Sequence, residues 1–358
     1  MTQAAQATQA AQGGKQKLTP AQKASMFAAA TRQNWQKIPA AALVENNTVT
    51  FTIPKARLLS RTWLKISGTF TAAHASLTTL TKARMAPWTL IKQIRLQVNN
   101  GFNPYQVSGK GVYVYNSAAL AQNVMDAITT LGNTASVGGT SNTLDILVDL
   151  TDVLNDRDPV GLVLAQNQET VITVSIDFGT VVSLFTDAAI TTSAVAINVT
   201  PITETYTVPA SPDAIPDLSV LKLVAEQNFN IPASGSTQIV KLPVGQTYRK
   251  ILLNFEASTN VAMTDTQIGD ISLIFNQADI PYIIPADVLR KINTKCYGTA
   301  LPAGVLALDM SDQGLANLGG SRDLIDTERL TEFWVSFIPG TTGNLQVVSE
   351  TLTRLSGV

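Results

Sequence analysis

The sequence predicts an all-β protein made of two tandem eight-stranded jelly rolls, a double jelly roll, with an N-terminal amphipathic helix and a short helix inside each half. Two observations predict this fold class. The chain of 358 residues has the length of two domains, and five segments of its first half recur in the same order in its second half. The first-half segments are residues 94–98, 112–115, 117–131, 146–150 and 174–180. Their counterparts are residues 271–275, 282–284, 286–297, 306–310 and 335–341.

The spacing between matched segments shrinks along the chain, as shorter loops in the second half would produce. The offsets are 177 for Ile94 and Ile271, 169 for Tyr113 and Tyr282, 160 for Asp149 and Asp309, and 161 for Val174 and Val335. The third segment of each half is predicted to be helical and the other four to be strands. A protein built from two similar β units is more often a scaffold or a shell than an enzyme.

The N-terminal segment has a different character from the rest of the chain. Residues 1–17 are low-complexity Ala/Gln sequence, which is typical of a mobile arm. Thr19 followed by Pro20 predicts a helix start, because a threonine oxygen caps free amides and proline loses no hydrogen bond at the first helical position. We expect this helix to run to about Lys37, before Pro39. Its apolar stripe is Ala24, Phe27, Ala28, Thr31, Trp35 and Ile38.

From Thr48 onward the apolar period changes from 3.6 to 2, which predicts strands with one buried face. The clearest alternation places Ile172, Val174, Ile176 and Phe178 on one face. Eight short antiparallel strands in each half fit a jelly roll. Further strands are predicted at residues 194–207, 219–228, 237–242, 248–256 and 344–354.

The domain boundaries follow from a proline-rich joint. Residues 209–216 carry three prolines and no periodicity, which is typical of a linker between domains. Two polar or Gly-rich stretches, residues 132–143 and 311–322, are predicted to be exposed loops. The predicted units are a basic arm and helix at residues 1–40, a first jelly roll at 41–208, a linker at 209–217 and a second jelly roll at 218–358.

Charge divides the chain unevenly. Charged residues make up only 14% and the net charge is −1, which argues against general nucleic-acid binding and suits a neutral surface buried between copies. The first 44 residues nevertheless carry five positive side chains and no acidic one, so the remainder carries about −6. Such a segment is expected either on an anionic lipid surface or near packaged nucleic acid. The alternative is a helix packed under its own β domain with a solvated basic face.

The sequence offers little chemistry. His74 is the only histidine, which excludes multi-histidine metal sites and predicts a turn or surface residue. The aspartates at 149, 152, 156 and 158 do not have the spacing of a calcium loop and are expected to build a turn. Cys296 is the only cysteine and predicts no disulfide. We therefore predict no catalytic residue, no metal, no cofactor and no enzyme activity.

Targeting signals are also lacking in the sequence as given. No run of 18 apolar residues is present to span a bilayer, and the N-terminus has no apolar signal-peptide core. We expect a soluble product made in the host cytoplasm.

The run Leu18-Thr-Pro-Ala-Gln-Lys23, followed by an Ala/Gln helix and then strands, resembles the major capsid protein of tectiviruses, the membrane-containing icosahedral bacteriophages. In that family a similar segment precedes two jelly rolls in one chain. The resemblance implies a virion protein that forms homotrimers, pseudo-hexagonal tiles of an icosahedral shell over an internal membrane. The implied partners are further copies, vertex and minor capsid proteins and membrane lipids, with no sequence-specific nucleic acid. The implied interior-facing or membrane-side residues are Lys15, Lys17, Lys23, Phe27, Arg32, Trp35 and Lys37.

Two alternatives stay open from the sequence. Jelly rolls are also lectin folds, so a carbohydrate-binding β-sandwich of a phage fibre or spike is the first. A sugar site favours clustered exposed aromatic rings, whereas Trp63, Trp88 and Trp334 are scattered through strand patterns. A secreted β-rich enzyme is the second, and the solitary histidine disfavours it.

Overall fold

The structure is a computed structural model, and it describes residues 19–99, 101–132, 139–153, 160–166, 169–258, 260–311 and 324–354. The described chain consists mainly of antiparallel strands in three sheets. Of the two predicted loops, residues 133–138 and 312–322 lie outside these ranges. Residues 140–143 were predicted to be loop but lie in a strand, because their backbones pair with residues 69–72.

The first half contains eleven of the described strands. They are β1 (Gln33–Lys37), β2 (Ala41–Ala42), β3 (Thr48–Thr52), β4 (Leu58–Ala73), β5 (Ile91–Val98), β6 (Phe102–Val107), β7 (Thr129–Leu131), β8 (Thr140–Thr151), β9 (Val163–Leu164), β10 (Ile172–Phe178) and β11 (Thr191–Tyr206). Its helices are α1 (Pro20–Ala30), α2 (Gly109–Ala119) and α3 (Gln122–Ala127).

The second half contains ten of the described strands. They are β12 (Val220–Ile231), β13 (Gln238–Leu242), β14 (Thr247–Ser258), β15 (Val261–Ala262), β16 (Asp270–Phe275), β17 (Asp279–Pro285), β18 (Val305–Asp309), β19 (Ile325–Asp326), β20 (Phe333–Phe337) and β21 (Gly343–Arg354). Its helices are α4 (Asp265–Ile268) and α5 (Ala286–Tyr297). Short 3₁₀ turns lie at Trp88–Leu90, Val181–Leu184 and Pro212–Ala214.

Eight strands have the same neighbours in both halves, which confirms the predicted double jelly roll. In the first half one sheet runs β1-β11-β4-β8 and the facing sheet runs β3-β10-β5-β6. In the second half the corresponding orders are β12-β21-β14-β18 and β13-β20-β16-β17. A helix follows β6 and β17 alike. The two halves therefore repeat one topology strand by strand.

The strand registers repeat as well. Leu96 of β5 lies opposite Tyr105 of β6, and Leu273 of β16 lies opposite Tyr282 of β17. Both residues of the second pair lie 177 positions after those of the first, which is the offset predicted for Ile94 and Ile271. The predicted match of Tyr113 with Tyr282 is therefore wrong, because Tyr105 is the residue equivalent to Tyr282.

The error at Tyr113 has a physical cause. Residues 112–115 alternate valine and tyrosine and were predicted to be a strand, yet they lie in α2. Ser108 starts that helix by accepting a hydrogen bond on its hydroxyl oxygen from the Gly111 amide at 3.1 Å. Because α2 is buried along most of its length, tertiary packing overrides the β propensity of the sequence.

The N-terminal helix is shorter than predicted. It starts as expected, with the Thr19 hydroxyl and the Gln22 side chain forming a reciprocal capping box. It ends at Ala30 and not near Lys37, because residues 33–37 form β1 and pair with residues 202–206 of β11. The domain boundaries stay predictions, but the part of the predicted arm after Arg32 belongs to a sheet of the first half.

Each sandwich has its own apolar core. Alternate residues Ile172, Val174, Ile176 and Phe178 of β10 are buried, as their spacing predicts. One cluster fills the first half and a second fills the second half. The first cluster extends through α2 to apolar residues of the second half, including Val224, Leu252 and Val348. The halves thus share apolar packing at their junction.

Candidate assembly surfaces

The two halves meet edge to edge through β6 and β12. These strands pair in parallel, with Tyr105 next to Val224 and Gln106 next to Ala225. The pairing joins the smaller sheet of the first half to the larger sheet of the second half in one ten-stranded sheet. Backbone hydrogen bonding therefore fixes how one sandwich lies beside the other.

Helix α2 crosses this junction and lies on the sheet of the second half. Gly111 is so close that an added Cβ would lie 2.4 Å from a carboxylate oxygen of Glu226. The same carboxylate accepts a hydrogen bond from the Ser108 amide at 2.6 Å. The absence of a side chain at Gly111 is therefore what allows α2 to approach β12 and β21 closely.

Beneath the helix the junction is polar and closed to water. The Lys222 ammonium is buried, 3.4 Å from the Val153 carbonyl oxygen, and lies over the rings of Tyr105 and Tyr115. The Tyr115 hydroxyl donates to Glu350 at 2.6 Å, and Arg249 also donates to Glu350. Burial alone would raise the pKa of Glu350, but nearby cations, Arg249 first, bring it below its usual value.

Asp152 is the least satisfied group of this junction. It is buried, and neither carboxylate oxygen accepts a hydrogen bond within the described residues. Burial raises the pKa of Asp152 to about 7, and the charge of Lys222 opposes the shift only in part. Burial correspondingly lowers the pKa of Lys222, opposed by Glu350 and Asp152. Such an incompletely paired group costs stability.

Five of the seven predicted interior-facing residues fall into three groups. Lys15 and Lys17 lie outside the described residues. Lys23 and Arg32 are exposed, in and just after α1. Phe27 is buried against the first half, in a small cluster with Leu58, Val153 and Leu162, and its ring lies 5.6 Å from that of Tyr206. Phe27 therefore packs α1 against the first half and is not available to contact a membrane. This corrects the prediction for Phe27.

Trp35 and Lys37 are exposed on β1 and not on a helix. The Trp35 ring lies 4.4 Å, centroid to centroid, from Trp63 of β4, and the Arg61 guanidinium lies 5.5 Å from the centroid of the Trp63 ring. Sequence reasoning missed this aromatic pair, because it treated Trp35 as helical and Trp63 as isolated. In the described residues β1 pairs only with β11, so its other edge is open.

The residues considered for chemistry do not assemble into a site. His74 accepts hydrogen bonds on Nδ1 from the amides of Ser76 and Leu77, which makes it part of a turn. Asp149 lies 3.6 Å from Arg61 in an ion pair, and Asp156 and Asp158 lie outside the described residues. Within the described ranges no cluster of metal-binding side chains occurs. No described helix is long and apolar enough to cross a membrane.

Comparison with solved structures extends over nearly the whole chain. The major capsid protein of Sulfolobus turreted icosahedral virus matches with a TM-score of 0.68 and 15% identity, covering 91% of this chain and all of that one. The PBCV-1 virus capsid model matches with a TM-score of 0.65 and 11% identity, covering 90% and 94%. The chain has the double jelly-roll fold of viral major capsid proteins. At these identities the likeness establishes the fold.

Two further comparisons agree with this double jelly-roll capsid fold. The major capsid protein P2 of bacteriophage PM2 matches with a TM-score of 0.54 and 10% identity, covering 91% of this chain and 98% of that one. A family model described as the viral coat protein P2 N-terminal domain matches residues 225–335, within the second sandwich. No curated protein sequence matches the chain significantly. The structures named here are capsid proteins.

The raised pKa of Asp152 predicts a stability cost that grows with pH. Unfolded Asp152 loses its proton near pH 4, whereas the folded carboxyl holds it to about pH 7, so the folded state binds more protons in between and stability falls as pH rises. Asp152→Asn should remove this dependence. The free energy of unfolding of the variant, relative to the original chain, should rise by roughly 1–4 kcal/mol between pH 4 and pH 7.

Urea unfolding across this pH range measures the difference. Asp145→Asn, which removes an exposed carboxylate from the same strand β8, is the matched control. A flat or falling difference for Asp152→Asn would show that Asp152 is ionised in the folded state well below pH 7.

Proposed function

We propose that this chain is the major capsid protein of an icosahedral virus, a structural virion protein that self-assembles as homotrimers into a shell over an internal membrane. The observation that carries the proposal is the repeated sandwich. Two jelly rolls with the same strand order lie side by side in one chain, so three chains supply six similar units around one axis. Closed symmetry of this kind fixes a tile from identical contacts.

The low charge content supports self-assembly. With 14% charged residues, much of the surface is neutral and loses little hydration energy when buried against another copy. Apolar area buried between copies contributes roughly 25 cal/mol per Å². A shell built in this way needs no catalytic group and no cofactor. Its partners are further copies, vertex and minor capsid proteins, and lipid.

The basic N-terminal segment is the proposed contact with the internal membrane. Lys15, Lys17, Lys23 and Arg32 precede the first strand, and the last two are exposed. Each basic side chain near an anionic lipid surface contributes about 1 kcal/mol. Phe27 anchors this segment to the first sandwich, so the basic side chains, and not an inserted apolar face, would contact the lipid.

A carbohydrate-binding fibre or spike protein is the second candidate, and one observation favours it. The exposed Trp35 and the half-buried Trp63 form an aromatic pair of the kind on which sugar rings stack. The whole-length likeness to capsid proteins favours the shell instead. Binding on a glycan array that is lost in Trp35→Ala would support the sugar site.

The shell is tested directly by the assembly state of the purified chain. Light scattering should give a mass of about 114 kDa, three times the 38.1 kDa of the chain, and negative-stain images should show tiles with a hexagonal outline. Addition of its own virion lipids and partner proteins should give round particles. A stable monomer that forms no particle under any of these conditions would contradict the capsid function.

The arm is tested by replacing Lys15, Lys17, Lys23 and Arg32 with glutamine. The trimers should stay intact, whereas their affinity for vesicles with anionic lipid should fall by roughly a thousandfold, since four charges contribute about 4 kcal/mol. Replacing Lys82, Lys92, Lys241 and Arg329, which are exposed elsewhere, is the matched control. Equal flotation of both variants with anionic vesicles would contradict the role of the arm.

A further inference from the structure

In each half, one sheet ends at an edge strand, and these two edge strands are equivalent in the repeat. Within the described chain, another strand pairs with the outer edge of this strand in the first half only. In the first half that strand is β6, and β12 of the second half pairs with it. In the second half it is β17, which pairs only with β16 among the described residues. Since β17 is equivalent to β6, and β1 is equivalent to β12, the repeat indicates that a β1 strand fits the open edge of β17.

The registers define which residues of β1 and β12 are equivalent. Trp35 lies opposite Glu204 of β11, and Val224 lies opposite Glu350 of β21. Both glutamates lie next to a β-bulge in the pairing with the next strand. Trp35 thus occupies the position of Val224, and Gln36 occupies that of Ala225. Val224 is 1% exposed under the junction, whereas Trp35 is 58% exposed.

The residues on the two strands next to β1 are also more exposed than their equivalents next to β12. Trp63 lies opposite Ile202, as Leu252 lies opposite Val348. Leu252 and Val348 are buried in the cluster that includes α2. Trp63 and Ile202 are only partly buried. The first half thus has an apolar sheet face at the place where the second half receives a helix.

The outer surface of the second half, formed by β17 and α5, is apolar and exposed as well. The constant offset of 177 makes Ile283 equivalent to Gln106, and Ile292 of α5 equivalent to Tyr115 of α2. Ile283 is 61% exposed, and Ile292 is 44% exposed against 9% for Tyr115. Val288, at the position of Gly111, is also exposed. An exposed apolar strand edge beside an exposed apolar helix face is unusual unless something covers it.

We propose that the β17 edge and α5 of one copy dock on β1 and on the face of β11 and β4 in a second copy, repeating between chains the junction that joins the halves within a chain. The inference rests on the proposed function and deepens it by naming the contact between subunits. Parallel pairing in the same register places Tyr282 beside Trp35 of the second copy, and Ile283 beside its Gln36. Trp35 and Lys37 then face a subunit and not a membrane.

Substitution at Ile292 tests the apolar part of this contact. Ile292→Glu places a charge in a dry junction and should weaken trimerisation by roughly a hundredfold or more, measured by light scattering over a dilution series. The Tm of the monomer should be unchanged, because the residue is exposed in the single chain. Ile239→Glu is the matched control, because Ile239 is also exposed and lies on β13, the opposite edge of the same sheet.

A cross-link tests the register. In a Cys296→Ser background, Gln36→Cys with Ile283→Cys should be linked between copies by a short bis-maleimide, giving bands of two and three chains and none larger. Gln36→Cys with Ile239→Cys should give none. Trimers that form without the cross-link and tolerate Ile292→Glu would overturn this interface and leave the capsid function in place. A chain that stays monomeric and forms no shell would overturn both.

Discussion

The junction between the two sandwiches is the constraint on which the rest of the structure depends. Parallel pairing of β6 with β12 fixes the two halves edge to edge, and α2 closes the seam by lying on the second sheet. Beneath it Lys222, Glu350, Arg249 and the two tyrosines form a buried polar network. Removing Arg249 would leave the buried Glu350 carboxylate without this ion pair, so the network favours one relative placement of the halves.

Because the chain is an internal repeat, the same contact leaves unmatched surfaces at its two outer ends. Within the described residues, no strand pairs with the outer edge of β17 or of β1, and the outer face of α5 is exposed at Val288 and Ile292. Apolar residues are exposed at both places. A chain with this geometry needs no second type of subunit contact to close a ring. The Trp35–Trp63 pair then has a reason to be apolar that does not involve sugar or lipid.

Much of the fold was predictable from the sequence, because strands with one buried face have a clear period of 2, as in β10. The offset at Ile94 and Ile271 also located the repeat. Two of the errors came from tertiary effects. Residues 33–37 carry no alternation that separates a strand from the end of a helix, and only pairing with β11 makes them β1. The valine and tyrosine residues at 112–115 favour a strand until burial selects a helix.

The assembly surfaces were not predictable in the same way. Whether Ile283, Ile292 and Trp35 are exposed depends on which elements pack beside them in the fold, and the sequence does not show this.

Hydrogen exchange of the assembled protein, compared with that of the dissociated Ile292→Glu variant, tests the repeated junction most directly. The amides of β1 that point away from β11, and those of β17 that point away from β16, should be protected only after assembly. Those at Tyr105 and Gln106 that face β12 should be protected in both states. Equal, rapid exchange at β1 and β17 in both states would contradict the account.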